Sequence, residues 1–113
     1  MPVKQIREAE FDSEVAQHQG RVIVDFYATW CPPCRALAPI LDQLANQYPQ
    51  TLTVVKVNAD ENPVTAAAYR ALALPTMKVI QGGTVVGTIV GSKSKPALDA
   101  ELSAYVTAAV STG

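Results

Sequence analysis

Arg21-Val22-Ile23-Val24-Asp25-Phe26-Tyr27-Ala28-Thr29-Trp30-Cys31-Pro32-Pro33-Cys34 is the stretch that decides the fold of this chain. Residues 21–28 are apolar on both faces of the pleat, as expected of a central, largely parallel strand covered on both sides. Beyond it Leu37, Ile40, Leu41, Leu44, Ala45 and Tyr48 recur at helical spacing, predicting a helix from about Pro33 to Tyr48 with a kink at Pro39. The only two cysteines of the chain therefore fall between the end of a strand and the start of a helix. Free backbone N–H groups and the helix dipole favour an anion there, which lowers a thiol pKa and enriches the thiolate that attacks disulfides. Cys34, one turn on from Cys31, is placed to attack a mixed disulfide formed at Cys31 and release reduced product.

Three blander readings compete with a reactive pair. Half a zinc site needs two further ligands, and with only His18 left over it requires a dimer. Two inert core thiols are chemically ordinary, because free cysteine is often buried. A purely structural disulfide is the weakest of the three, since closing so short a loop removes little chain entropy. The reactive pair is preferred to all of them.

Moving outward, Val3 to Ile6 reads as a short first strand, and Glu8 to Gln19 as an amphipathic helix with Ala9, Phe11, Val15 and Ala16 on its apolar side, ending at Gly20. Leu52 to Val57 is a second central strand. Asn62-Pro63 opens a helix that runs towards Leu72, with Asn62 as cap and Pro63 at the first helical position. Met77 to Gln81 and Thr84 to Val90 form a hairpin across Gly82-Gly83. Ser94 caps a last helix whose apolar side holds Leu98, Leu102, Tyr105, Val106 and Val110. The order β-α-β-α-β-α-β-β-α implies an α/β fold: a central mixed sheet between helical layers, with an antiparallel hairpin edge.

The chain has 113 residues, enough to bury one core without staples, and no repeat or linker divides it, so 1–113 is read as a single domain. Its net charge of −1 gives no reason to expect nucleic acid or an anionic membrane as partner. No apolar run reaches the roughly 20 residues of a membrane span. The beginning, Met1 to Glu8, lacks the apolar core of a secretory signal, so the expected location is the cytoplasm.

Val24 to Arg35 resembles the active-site segment of the thioredoxin family. Further matches follow in order: Pro39, Lys56-Val57-Asn58-Ala59-Asp60, Asn62-Pro63, Leu74-Pro75-Thr76, Gly82-Gly83, Gly91 and Ser94-Lys95, covering nearly the whole chain. The resemblance implies a thioredoxin fold with Cys31 as exposed nucleophile and Cys34 as buried resolving thiol. It implies that Asp25, a carboxylate whose pKa burial should raise, manages the Cys34 proton through water. The alternative for Asp25 is an edge-strand carboxylate facing solvent. Lys56 resembles the family lysine beside that carboxylate, against the alternative of a solvated strand lysine. The peptide before Pro75 is expected to be cis, freeing Thr76 backbone groups to pair with an extended substrate segment. Trp30, Pro32, Pro33, Leu74, Pro75, Thr76 and Gly91 are then the substrate-binding residues. Taken alone, Trp30 also fits a core aromatic and Gly91 a turn.

The sequence departs from the family at three places. Pro32-Pro33 replaces the usual Gly-Pro, which removes the N–H of residue 32 and leaves those of Cys34 and Arg35 as donors to the Cys31 thiolate. A residue before proline is also biased away from helical geometry, so Pro32 is expected to be non-helical. Tyr27 stands where a second tryptophan is common, and Ser92 where a small apolar residue is common. His18 reads as a surface residue. The expected function is reduction of disulfide-containing protein substrates by a monomer, with no cofactor or metal of its own and with thioredoxin reductase as electron donor. The alternatives are a more oxidising disulfide oxidant or isomerase tuned by Pro32-Pro33, and a non-catalytic binding module.

Overall fold

The computed structural model describes residues 3–49 and 52–111, with side chains described as far as residue 105. The expected side chains of Val106 and Val110 thus lie outside the described residues. Five strands form one sheet in the order β1-β3-β2-β4-β5: β1 (Val3–Gln5), β2 (Arg21–Tyr27), β3 (Thr53–Asn58), β4 (Thr76–Gln81) and β5 (Thr84–Val90). β1, β3 and β2 run parallel, β4 is antiparallel to β2, and β5 is antiparallel to β4. The mixed sheet with a hairpin edge is the architecture expected from the element order. Gly82 and Gly83 turn that hairpin with φ of 58° and 82°, the left-handed pair that a two-residue turn demands.

β2 is central because its seven residues suit both faces. Ile23 packs with Leu37, Leu41 and Leu44 of α2 (Pro32–Gln47) and with Leu98 and Leu102 of α4 (Lys95–Ser111). Val22, Val24 and Phe26 pack on the other face with Phe11, Val15 and Ala66. These last come from α1 (Glu8–Phe11), a π-helical turn (Asp12–Ala16) and α3 (Pro63–Ala68).

Three local expectations are corrected. The first helix is not a uniform α-helix to Gln19. It passes into the π turn, where the Gln17 N–H reaches back five residues to the Asp12 carbonyl. Phe11 and Val15 are buried there, whereas Ala9 is exposed. α3 ends well before Leu72. Arg70 takes φ 55°, and the Ala71 N–H closes on the Ala66 carbonyl, a helix stop achieved without glycine. Asn62 stands at the start of α3 but does not cap it with its side chain. Its Oδ1 accepts the Glu8 N–H at 2.9 Å, while Glu8 Oε2 accepts the Thr65 N–H at 2.6 Å. The two helices thus satisfy each other's free N–H groups. Ser94 meets its expectation, accepting the Ala97 N–H at 3.3 Å.

Candidate active site

Cys31 is the N-cap of α2, and Pro32 and Pro33 fill the next two positions. Contrary to expectation Pro32 is helical, because its fixed φ suits the first helical turn, where no N–H is required. The Cys34 N–H donates to Cys31 Sγ at 3.2 Å. The Arg35 N–H does not. It donates to the Cys31 carbonyl at 3.1 Å, the ordinary helical partner, so one amide faces the sulfur where two were expected.

The two cysteines are joined as a disulfide with Cα atoms 5.2 Å apart. They are almost equally covered, 3% and 4% exposed, so Cys31 is not the exposed member expected. Ala28 is buried with the pair, and Tyr27 and Leu74 pack against it. What distinguishes the two sulfurs is their surroundings. Cys31 Sγ lies 3.7 Å from the Leu74 carbonyl oxygen, whereas Cys34 faces a cavity.

That cavity, of about 220 Å³, is lined by Asp25, Tyr27, Ala28, Thr29, Cys34, Arg35, Ala38 and Lys56. It follows from the sheet register. Asp25 and Lys56 are direct partners across β2 and β3, and Tyr27 projects to the same side as Asp25, two residues on. Asp25 is 3% exposed, and its Oδ1 has no hydrogen-bond partner among the described residues. Burial pushes its pKa up to about 7, while the Lys56 charge pulls the other way. The solvent-facing alternative for Asp25 is thereby excluded. Lys56 is half-buried, and its Nζ stands 4.7 Å from the centroid of the Tyr27 ring. The Arg35 guanidinium donates to the Thr29 carbonyl at 2.7 Å at the edge of the same cavity.

On the outer side of the pair Trp30 is 65% exposed, which removes the core-aromatic reading. Its Nε1 donates to Asp60 Oδ2 at 2.6 Å, fixing the indole beside a groove of about 560 Å³. Leu74 and the largely exposed Leu72 share that groove. The Leu74–Pro75 peptide is cis, as expected. Thr76 is buried and interior to the sheet, flanked in register by Phe26 and Val90, while its hydroxyl donates to the Ala73 carbonyl. Ala73 is exposed and Leu74 half-buried, whereas Pro75 and Thr76 are buried. Gly91 has φ 89°, and its N–H donates to the Pro75 carbonyl at 2.8 Å, so it is a turn residue that braces the proline. Ser92 is exposed. His18 is half-buried and accepts the Gly20 N–H at Nδ1.

Sequence reading missed Asp60 as the anchor of Trp30, the ring contact of Lys56 and the exposure of Leu72. The first two join residues on different elements and leave no local periodicity. The third follows from the early stop of α3. No cluster of three or more His, Cys, Asp or Glu able to hold a metal occurs among the described residues, and no described helix is long and apolar enough to cross a membrane.

The chain matches the family model described as Thioredoxin over residues 2–104. A thioredoxin of Streptomyces clavuligerus is 45% identical over 96 residues, 85% of this chain and 89% of the relative. Thioredoxins of Porphyra purpurea and Listeria monocytogenes are each 39% identical, covering 94% and 92% of this chain and 99% of each relative.

Proposed function

Because the chain belongs to the thioredoxin family and is a thiol–disulfide oxidoreductase, we propose that it works as a protein-disulfide reductase through Cys31 and Cys34. The observation that carries this reading is the asymmetry of the pair. One sulfur caps a helix beside the Leu74 carbonyl, and the other faces a cavity holding a buried carboxylate with a raised pKa.

In the reductive cycle the Cys31 thiolate attacks one sulfur of a substrate disulfide and expels the other as a thiolate. The Cys34 N–H and the start of α2 stabilise the negative charge before attack. Asp25, poised near neutrality, takes the Cys34 proton across a cavity that admits water. The Cys34 thiolate then attacks Cys31 Sγ and expels the second substrate thiolate. The substrate gains two electrons, and the enzyme is left with the Cys31–Cys34 disulfide. Lys56 acts on this step through its charge near Asp25.

Trp30, Pro32, Pro33, Leu74, Pro75, Thr76 and Gly91 form the docking region. An extended substrate strand would run past the exposed Ala73 and half-buried Leu74, with Thr76 and Gly91 holding the cis-proline turn behind them. The unit taken to act is the whole chain, 1–113, as one domain, supported by a family match over 2–104. A monomer suffices, because both cysteines and Asp25 come from one chain. A reductase needs a compartment that keeps thiols reduced and a separate protein donor, here a thioredoxin reductase, so the cytoplasm is its proposed location.

The test is the equilibrium reduction potential of the pair against a thiol redox buffer. The expected value is near about −270 mV, a figure characteristic of thioredoxins in general and taken from them, not from this geometry. A value near about −180 mV or higher would transfer the protein to the oxidants and isomerases. Failure to form the intramolecular disulfide would leave only a binding role.

A further inference from the structure

We propose that Tyr27 is a positioning residue for this reaction: its ring holds the Lys56 ammonium beside Asp25 and keeps it from swinging out to solvent. The inference rests on the assignment of Asp25 as the proton-handling group, and it adds the element that governs that group's nearest charge.

The geometry has three parts. Lys56 and Asp25 are direct partners across the β2–β3 ladder, so their backbones are fixed side by side. The register does not fix the ammonium, because a lysine stem has four rotatable bonds and ordinarily carries its charge to water. Yet no ion pair joins Lys56 to Asp25, and Asp25 Oδ1 is unpartnered among the described residues. Among the described residues the ammonium has neither a hydrogen bond nor an ion pair, and the Tyr27 ring lies 4.7 Å from Nζ to centroid, within the range of a cation–π interaction. Tyr27 is half-buried and lines the same cavity as Asp25, Cys34 and Lys56, so the ring acts in a partly desolvated site, where such contacts are strongest.

The remaining ionisable groups around Asp25 do not supply an alternative tether. From α2 the cavity is lined by Cys34 and by Arg35, whose guanidinium is engaged by the Thr29 carbonyl. From β4 the register partner of Asp25 is Met77, which carries no charge. Burial pushes the Tyr27 phenol pKa up; Asn58, as a hydrogen-bond partner, opposes that shift, and the negative charges of Glu61 and Asp25 add to it. The phenol is therefore neutral at physiological pH and offers its ring face, not a phenolate, to the lysine.

The test is a double-mutant cycle read as the Asp25 carboxyl pKa, followed by carbon NMR of the oxidised protein. This readout does not depend on turnover. Lys56→Met in the otherwise unaltered protein should raise that pKa, because a neighbouring positive charge is lost. In a Tyr27→Phe background the same upward shift should persist at full size, since the ring remains. In a Tyr27→Leu background most of it should vanish, because the ammonium has already left for solvent. Equal Lys56→Met shifts with and without the Tyr27→Leu substitution would overturn the proposal. So would loss of the shift in Tyr27→Phe, which would assign the effect to the hydroxyl. The pH profile of mixed-disulfide resolution should move with the carboxyl pKa across these proteins. If the carboxyl shifts follow this pattern while the kinetic profile stays fixed, the tether stands and the catalytic role of Asp25 fails.

Discussion

The two faces of β2 put one seven-residue strand into opposite environments. On one face Val22, Val24 and Phe26 are fully buried among Phe11, Val15, Val55, Val57 and Ala66, and no polar side chain interrupts them. On the other, Ile23 is equally well packed, but the next two positions are Asp25 and Tyr27, and the packing gives way to a cavity. The closed face holds the strand in place. The open face carries a buried carboxylate that desolvation would reject if the closed face did not fix the strand carrying it. The polar groups are confined to the last two residues of that face, next to the cysteine loop, so their energetic cost is local.

The difference can be broken from either side. Phe26→Ala should lower unfolding free energy by about 3–5 kcal/mol, read from the denaturant midpoint, because it empties a fully buried ring site. The folded fraction should still cycle its disulfide at the native rate. Asp25→Asn should act in the reverse sense. The folded carboxyl titrates near 7 and the unfolded one near 3.8, so the folded state holds a proton that the unfolded state releases between those values. Stability therefore falls as pH rises through that window, and the penalty is complete above it. Removing the carboxylate should stabilise the protein at pH 8 by up to about 4 kcal/mol, flatten the pH dependence and leave stability at pH 3 nearly unchanged. It should also slow resolution of the mixed disulfide, on the order of 10²-fold. Asn62→Ala, which strips the cap of α1 on the closed face, should cost only about 1 kcal/mol in a thermal or urea melt and leave turnover intact.

The closed face was the more legible of the two in the sequence. Alternation cannot distinguish the sides of a strand apolar throughout, yet that very uniformity marked β2 as central, and Gly82-Gly83 marked the hairpin. Cys31, Cys34 and Asp25 were legible because each is an unusual residue for its place: a cysteine pair at a helix start and a charge inside an apolar strand; Pro75 was singled out only through the family resemblance. What stayed hidden depends on contacts between distant segments. The near-equal burial of the two sulfurs depends on residue 74 packing over residue 31. Asn62 looks like a cap for its own helix, and only the fold reveals that it caps another, 54 residues away. Trp30 and Asp60 meet across 30 residues with no periodicity to announce them.

The asymmetry of the cysteine pair is tested most directly by trapping. Cys34→Ser and Cys31→Ser variants, incubated separately with a disulfide-bearing protein, are digested and the mixed disulfides located by mass spectrometry. The expected result is a stable adduct on Cys31 in the Cys34→Ser variant and no comparable adduct in the Cys31→Ser variant. Equal adducts on both sulfurs, or a preference for Cys34, would contradict the assignment of nucleophile and resolving thiol.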